Sequence, residues 1–223
     1  MKPVLSARVG LDSARVRERM VERLREQGIR DARVLDALAS VPRHVFVDPA
    51  FASRAYEDTA LPIGEGQTIS QPYVVARCAE LAVAGRTDLT QAKVLEVGSG
   101  CGYAAAVLAR LFGIVISIER IRTLHELARQ RLRPLRLPNV HLLLGDGMKG
   151  CPAEAPFVAI VAAAAGAEVP QPWIEQLAPR GKIIAPVGAT AQNLVVVEKD
   201  AEGRIRKTRA EAVRFVPLRS GLQ

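Results

Sequence analysis

The sequence predicts an α/β protein built on a doubly wound, Rossmann-like, mostly parallel sheet. From residue 92 onward, apolar runs of strand length alternate with stretches of helix length. This alternation is typical of βαβ units, whose helices cover both faces of a parallel sheet. A glycine-rich turn follows the first of these apolar runs. Ligands of such sheets bind beyond the carboxyl ends of the strands, where that turn is expected.

The first 70 residues are predicted to form a helical extension of this sheet. Apolar residues recur at helical spacing from Val16 to Leu24, and Gly28 is placed to end this helix. A second helix is expected to start at Asp31 and to stop before Pro42. The stretch Leu61–Tyr73 is rich in glycine, proline and small polar residues, which predicts an ordered loop rather than a strand or a helix.

The sheet is predicted from the remaining residues. Pro72 is expected to open a helix that passes through Leu81. Five core strands are expected, at Lys93–Val97, Ile114–Ile118, Val140–Leu144, Phe157–Val161 and Lys182–Val187. Helices are expected at Ala104–Phe112, Arg120–Leu132 and Pro172–Leu177, and an antiparallel pair of edge strands at Leu194–Glu198 and Ala210–Val216. We therefore expect one domain, 1–223, with an N-terminal helical and loop subregion (1–70) and a Rossmann-like core (71–223).

Composition narrows the possible partners and the compartment. The formal net charge is +8, but the arginines are scattered and no aromatic residues are interleaved with them to stack bases, so no nucleic-acid partner is expected. No apolar run reaches transmembrane length and the start lacks a signal-peptide pattern, so no membrane partner is expected. The three cysteines are widely spaced, which favours the reducing cytoplasm. The three histidines lack ligand spacing, so no metal site is expected, and we expect a monomer.

The glycine-rich turn lies in Val94-Leu-Glu-Val-Gly-Ser-Gly-Cys-Gly102. A dinucleotide-binding G-x-G-x-x-G would place its third glycine at position 103, where this chain has Tyr103. Glu96, just before the turn, adds negative charge where a pyrophosphate would lie. A carboxylate suits a cofactor with a cationic sulfonium and ammonium better.

Two further acidic residues follow the next two strands. Glu119 ends the second strand, where a carboxylate can accept hydrogen bonds from ribose hydroxyls. Asp146 ends the third strand, where a carboxylate can accept a hydrogen bond from an adenine amino group. Three acids at the ends of three successive strands indicate an S-adenosyl-L-methionine site.

Several segments resemble the protein-L-isoaspartate O-methyltransferase family, and the resemblance runs from about Val41 to Leu218. The segments are Thr68–Tyr73, Val94–Tyr103, Gly145–Gly147 and Lys182–Gly188. The resemblance implies a class I methyltransferase fold. It also implies transfer of a methyl group from S-adenosyl-L-methionine to the α-carboxyl of L-isoaspartyl residues in damaged proteins and peptides. The cofactor product is S-adenosyl-L-homocysteine, and the methyl ester initiates repair.

The resemblance also implies roles for individual residues. Ser70 is implied to be catalytic. Because the acceptor carboxylate is already ionised at neutral pH, Ser70 is expected to position it by hydrogen bonding and not to act as a nucleophile. The residues implied to bind the cofactor are Gln67, Thr68, Ile69, Ser70, Glu96, Gly98, Ser99, Gly100, Glu119, Asp146 and Gly147.

The chain departs from the family pattern in three places. Members usually carry Asp where Val158 stands, a threonine in the stretch that is Ala162–Ala165 here, and an aromatic residue where Cys151 follows Gly150. The first two changes remove a carboxylate and a hydroxyl, which predicts poorer hydrogen bonding at the end of the fourth strand, beside the acceptor. Two alternatives therefore stay open: a methyltransferase for another acceptor such as RNA, and a catalytically weak paralogue that binds S-adenosyl-L-methionine.

Overall fold

The N-terminal helices pack against each other. A computed structural model describes residues 10–223, with side chains from residue 14 onward. Helix α1 spans Gly10–Glu26 and helix α2 spans Ala32–Ser40, as the helical spacing predicts. Asp31 caps α2, because its side chain accepts a 3.0 Å hydrogen bond from the backbone N–H of Arg33.

The prediction of a loop at Leu61–Tyr73 is wrong for most of that stretch. Strands β1 (Leu61–Gly64) and β2 (Gln67–Ile69) form an antiparallel hairpin. The turn between them is built from positive φ angles at Gly64, Glu65 and Gly66. The apolar residues of this segment point alternately into the core, so the glycines mark a hairpin turn and not a continuous loop.

Helix α3 (Pro72–Val83) follows the hairpin and begins at Pro72, as predicted. A seven-stranded sheet then has the order β5-β4-β3-β6-β7-β8-β9. Neighbouring strands are parallel from β5 to β7, and β8 and β9 add an antiparallel edge, as expected. The strands are β3 (Lys93–Val97), β4 (Ile114–Glu119), β5 (Val140–Leu144), β6 (Phe157–Ala162), β7 (Leu177–Val187), β8 (Gln192–Lys199) and β9 (Ile205–Val213).

The connecting helices are α4 (Tyr103–Leu108), α5 (Arg122–Leu132) and α6 (Gln171–Glu175). Several boundaries were predicted wrongly: strand β7, for example, begins at Leu177 and not at the predicted Lys182. Helix α4 ends at Leu108, four residues before the predicted end at Phe112, because the chain turns there. The turn leads to Gly113, which passes so close to Thr90 that a Cβ atom would lie 2.0 Å from the Thr90 carbonyl oxygen.

The last strand also lies earlier than the predicted Ala210–Val216. Asp200 closes the turn before it by accepting hydrogen bonds from the backbone N–H groups of Glu202 and Arg204. Because the turn is this tight, β9 starts at Ile205 and ends at Val213. The residues that follow leave the sheet and cross its carboxyl edge.

The chain reverses its direction of winding beside β3. It runs from β3 through β4 to β5 on one side, then returns to place β6 on the other side of β3. Buried residues cover both faces of the sheet, with Val94 in one core cluster and Leu95 in the other. This reversal opens a crevice at the carboxyl ends of β3 and β6.

Candidate active site

A first cavity of about 390 Å³ lies at the carboxyl ends of the central strands. Its walls are the glycine loop after β3, the end of β4, the tip of the β1–β2 hairpin and the C-terminal segment, which is defined here as residues 216–223. The lining residues are Ile63, Glu65, Gly66, Gln67, Thr68, Val97, Gly98, Gly100, Glu119, Arg120, Ile121, Leu124, Gly147, Ala163, Ala164, Val216, Pro217, Leu218, Arg219 and Gln223.

The glycine loop forms the floor of the first cavity. Gly98, Gly100 and Gly102 have φ angles of +94°, +52° and +89°, a region that favours glycine. A Cβ atom at Gly98 would lie 3.4 Å from the Cβ of Ala163 on the opposite wall. The loop is therefore kept open by the absence of side chains, and a ligand can approach its backbone closely.

Glu119 closes one end of this cavity with a carboxylate held by backbone groups. Its Oε2 accepts a 2.8 Å hydrogen bond from the N–H of Gly100. Its Oε1 accepts bonds of 2.9 and 3.0 Å from the N–H groups of Arg120 and Ile121. The side chain is 5% exposed and lines the cavity, so the one acceptor position left on its carboxylate can bind a hydroxyl group of a ligand.

Glu96 lies behind the glycine loop and does not line the first cavity. Its Oε2 accepts a short hydrogen bond from the hydroxyl of Ser117, which also bonds the Ser99 hydroxyl at 2.6 Å. Its Oε1 is buried without a partner among the described residues. Burial raises the pKa of Glu96 to about 8, and the nearby charge of Glu119 acts in the same direction.

Asp146 is bonded on both carboxylate oxygens. Oδ1 accepts a 3.0 Å bond from the N–H of Met148, and Oδ2 accepts a 2.9 Å bond from the N–H of Gly221 in the C-terminal segment. That segment is also tied to Arg120, whose Nε donates to the Gly221 carbonyl at 3.0 Å. In this structure the C-terminal segment thus takes the hydrogen bonds that the sequence assigns to a ligand.

A second cavity of about 370 Å³ adjoins the first. Three residues, Thr68, Ala163 and Val216, line both. Ser70 lines only the second, and its hydroxyl makes no hydrogen bond to the described part of the protein. The remaining lining residues are Ala60, Gln71, Tyr73, Val74, Glu211, Ala212, Val213, Arg214 and Phe215.

The site residues predicted from the sequence fall into two groups. Those that line the first cavity are Gln67, Thr68, Gly98, Gly100, Glu119 and Gly147. Those that do not are Ile69, Ser70, Glu96, Ser99 and Asp146. Ile69 is buried in the core, and the Ser99 hydroxyl turns toward Ser117 beneath the loop.

Sequence reasoning did not assign the hairpin tip or the C-terminal segment to the site. Glu65 lines the first cavity and accepts a 2.8 Å bond from the Thr123 hydroxyl on α5. Val216 also lines the first cavity, and it lies within Arg214-Phe-Val-Pro-Leu218, where the resemblance ends. An apolar run with a proline after the last strand was the available signal.

The expectation that Val158 lies at the end of the fourth strand is wrong. Val158 is the second residue of β6, so it lies at the amino end of the strand, away from the cavities, and its carbonyl accepts a bond from Arg86. Cys151 packs beside the second core cluster, and its N–H donates to Gln176. Of the three departures, only the Ala162–Ala165 run reaches the cavities, through Ala163 and Ala164.

The side chains and helices of residues 10–223 bear on two classes of partner, metal ions and membranes. Among these residues there is no group of three or more His, Cys, Asp or Glu side chains arranged to hold a metal ion. No helix in the same range has the length and apolar character needed to cross a membrane.

A family model described as protein-L-isoaspartate(D-aspartate) O-methyltransferase matches residues 15–223. The chain belongs to this family. Curated relatives of the same name agree: the protein of Bordetella parapertussis is 58% identical over 99% of this chain and 85% of its own length. The protein of Burkholderia cenocepacia is 59% identical over 95% of this chain and 68% of its own length.

Solved structures give the same answer for the fold. A protein-L-isoaspartate O-methyltransferase structure is 30% identical, with a TM-score of 0.81, over 92% of this chain and 67% of its own. A second structure, a protein-L-isoaspartate O-methyltransferase from Plasmodium falciparum in complex with S-adenosyl-L-homocysteine, has a TM-score of 0.77 at 24% identity, over 91% of this chain and 98% of its own. The sheet is that of the class I methyltransferases.

Proposed function

We propose that this chain transfers a methyl group from S-adenosyl-L-methionine to the α-carboxyl of L-isoaspartyl residues in proteins, which initiates their repair. The observation that carries this is the junction of two cavities at Thr68, Ala163 and Val216. One cavity is suited to a nucleoside cofactor, and the other presents an unpaired serine hydroxyl. Two reactants that bind in adjoining cavities can meet in line at such a junction.

The first cavity fits the cofactor by size and by chemistry. Its volume of about 390 Å³ lies within the range of small-molecule sites. Glycines without side chains line its floor, and the Glu119 carboxylate, at the end of β4, has acceptor capacity left for a ribose hydroxyl. Oε1 of Glu96 is buried without a partner among the described residues, and a cationic ligand in front of the loop would favour ionisation of this carboxyl group.

Bound S-adenosyl-L-methionine supplies a methyl group on a positively charged sulfur. The residues of this chain then have a positioning role. The Ser70 hydroxyl, which has no hydrogen-bond partner among the described residues, can donate to one oxygen of an acceptor carboxylate and leave the other oxygen directed at the junction. No base is needed, since the acceptor is already an anion near neutral pH. The hairpin tip and the C-terminal segment cover the first cavity and exclude water from the reacting groups.

The second cavity favours a peptide carboxylate over a nucleic acid. Its wall combines apolar residues of the chain after β9, such as Phe215, with the carboxylate of Glu211. Glu211 is paired with Arg77 at 2.9 Å, so its charge is fixed in place. Arg214 lines the same cavity, and its guanidinium offers a charge partner to a single acceptor carboxylate.

We further propose that residues 1–223 act as one methyltransferase domain, as a monomer in the cytoplasm. One buried cluster runs without interruption from Met20 and Leu24 of α1 to Val94 of the central strand, which supports a shared core. All three cysteines are free, which suits a reducing compartment.

The test is a transfer assay with methyl-labelled cofactor and three acceptors: an isoaspartyl peptide, its normal aspartyl twin, and RNA. We expect base-labile label on the isoaspartyl peptide only. Label on RNA would establish the other acceptor class. Cofactor binding by calorimetry without label on any acceptor would establish a non-catalytic paralogue.

A further inference from the structure

Arg43 is a completely buried arginine that lines neither cavity. It begins the 3₁₀ turn Arg43–Phe46, which follows α2, and its exposed fraction is 0%. Within the described residues it makes no ion pair with a carboxylate. A charge in this position requires other strong partners, because burial otherwise disfavours it.

Its partners are two backbone carbonyl groups. Nε donates a 2.7 Å bond to the carbonyl of Ala55, and one Nη donates a 2.7 Å bond to the carbonyl of Ser70. Ser70 lies between the hairpin and α3, in a short linker with few other bonds. The bond from Arg43 therefore fixes the peptide plane of the residue whose hydroxyl faces the second cavity.

The same guanidinium also contacts the glycine loop. Its carbon lies 4.7 Å from the centre of the Tyr103 ring, and Tyr103 is the first residue of α4, directly after Gly102. Phe46 packs edge-on against the same ring at 5.6 Å between centroids. The Tyr103 hydroxyl and the second Nη of Arg43 are both buried without partners among the described residues.

We propose that Arg43 is a positioning residue for methyl transfer, which holds the Ser70 backbone at a fixed distance from the glycine loop. This inference rests on the proposed function. The reacting oxygen and the methyl group must meet in line, and each is held by one of the two segments that Arg43 joins. A displacement of Ser70 by a fraction of an ångström then lowers the rate without altering the first cavity.

The chemistry of arginine explains why a shorter or neutral side chain at position 43 is not expected to make these contacts. Its planar fork can donate to two carbonyls at different positions while its face rests on an aromatic ring. Burial lowers the pKa of Arg43, but an arginine so far above neutral pH stays protonated. Lysine keeps the charge and loses both the fork and the flat face.

The experiment is a double-mutant cycle with Arg43→Lys and Ser70→Ala, with kcat measured on an isoaspartyl peptide at saturating cofactor. We expect Arg43→Lys to lower kcat by about 10- to 100-fold in the unaltered protein. In the Ser70→Ala protein the same change should cost less than about twofold, since the hydroxyl that Arg43 positions is already gone. The affinity for S-adenosyl-L-homocysteine should change by less than about twofold in both.

Arg86→Lys is the matched control. Arg86 also donates to two backbone carbonyls, those of Val158 and Arg180, and its Nε is also buried without a partner among the described residues. It lies at the other end of β6, so its change should leave kcat unaltered. Arg43→Gln, which buries no charge, serves as the second variant if Arg43→Lys does not fold.

The proposal is overturned if the Arg43 variant lowers kcat by the same factor with and without the Ser70 hydroxyl, or if it leaves kcat unchanged. Loss of S-adenosyl-L-homocysteine binding in proportion to the loss of kcat would also overturn it, because it would indicate collapse of the loop. Turnover of the unaltered protein in the same assay reports separately on the proposed function.

Discussion

The backbone N–H of Gly100 donates a 2.8 Å hydrogen bond to Oε2 of Glu119, which joins the glycine loop to the end of the neighbouring strand. The loop therefore does not depend on its glycines alone for its shape. The residue expected to bind the ribose also holds the backbone on which the rest of the cofactor is expected to lie.

Glu119→Gln should weaken cofactor binding more than the loss of one ligand contact explains. A glutamine amide has one oxygen acceptor, and its NH₂ group cannot accept a hydrogen bond from the backbone N–H groups. Loss of charge-assisted hydrogen bonds, which contribute about 1.5–3 kcal/mol, corresponds to roughly a 10- to 100-fold loss of cofactor affinity. Titration calorimetry with S-adenosyl-L-homocysteine measures this. Glu126→Gln, at an exposed position of α5, is the control and should bind normally. An affinity within twofold of the unaltered protein would remove Glu119 from the cofactor site.

Ser70→Ala should lower kcat/KM on an isoaspartyl peptide by about 10-fold or more, because the acceptor carboxylate loses the hydroxyl expected to orient it. The affinity for S-adenosyl-L-homocysteine should stay unchanged, since Ser70 does not line the first cavity. Ser40→Ala removes a hydroxyl that bonds the Ala37 carbonyl at the end of α2 and should leave turnover unaltered. Equal kcat/KM for both variants would show that Ser70 has no part in catalysis.

Glu96→Gln should change how stability depends on pH. Burial raises the pKa of Glu96 in the folded protein to about 8, from 4.5 as the reference value. The folded state thus keeps a proton that the unfolded chain releases, and stability from this group, present below pH 4.5, is lost as pH rises toward 8.

The difference in unfolding free energy between Glu96→Gln and the unaltered protein should therefore grow from pH 5 to pH 8. The slope should not exceed about 1.4 kcal/mol per pH unit. Urea unfolding at four pH values in this range gives the difference directly. A difference that does not vary with pH would mean that Glu96 is ionised in the folded protein.

Ala163→Thr should improve binding of the peptide acceptor. Ala163 lines both cavities at their junction, and a hydroxyl there offers a hydrogen bond to a group in the second cavity. A bond of about 1 kcal/mol lowers KM for the isoaspartyl peptide about fivefold. Ala167→Thr, at an exposed position of the same loop, provides the comparison. If KM rises instead, the junction has no room for the hydroxyl.

The core strands could be predicted because parallel strands buried on both faces are continuous apolar runs. Lys93–Val97, which is almost entirely buried, was predicted with the bounds that the structure has, and so was the more exposed edge strand Val140–Leu144. Strand β9 was misplaced because its residues are largely exposed and charged, so no burial pattern marks it. Its position depends on its pairing with β8 and on the turn at Asp200, and neither contact is visible in the apolar pattern of the sequence.

The site was predictable where a motif carries its own chemistry and not where it depends on distant contacts. The glycine loop and Glu119 lie at the first cavity as the sequence indicates. The hydrogen bond between Asp146 and Gly221 joins residues that are 75 positions apart, so no local sequence pattern predicts it. No role for Arg43 could be predicted from the sequence, because its contact with the carbonyl of Ser70 joins residues that are 27 positions apart.

Strand β9 ends the sheet, and its outer backbone groups face solvent along residues 205–210. A protein whose clients include aged and partly unfolded chains meets many segments that could pair with an open edge. Arg206 and its neighbours put dense positive charge there, with Arg206 bonded to Glu198 at 3.1 Å, and charged edges resist the addition of a foreign strand. The same strand reaches the second cavity at Val213. A damaged segment can thus be presented to the reactive junction without being captured as an eighth strand, which keeps a repair protein from becoming a nucleus for aggregation.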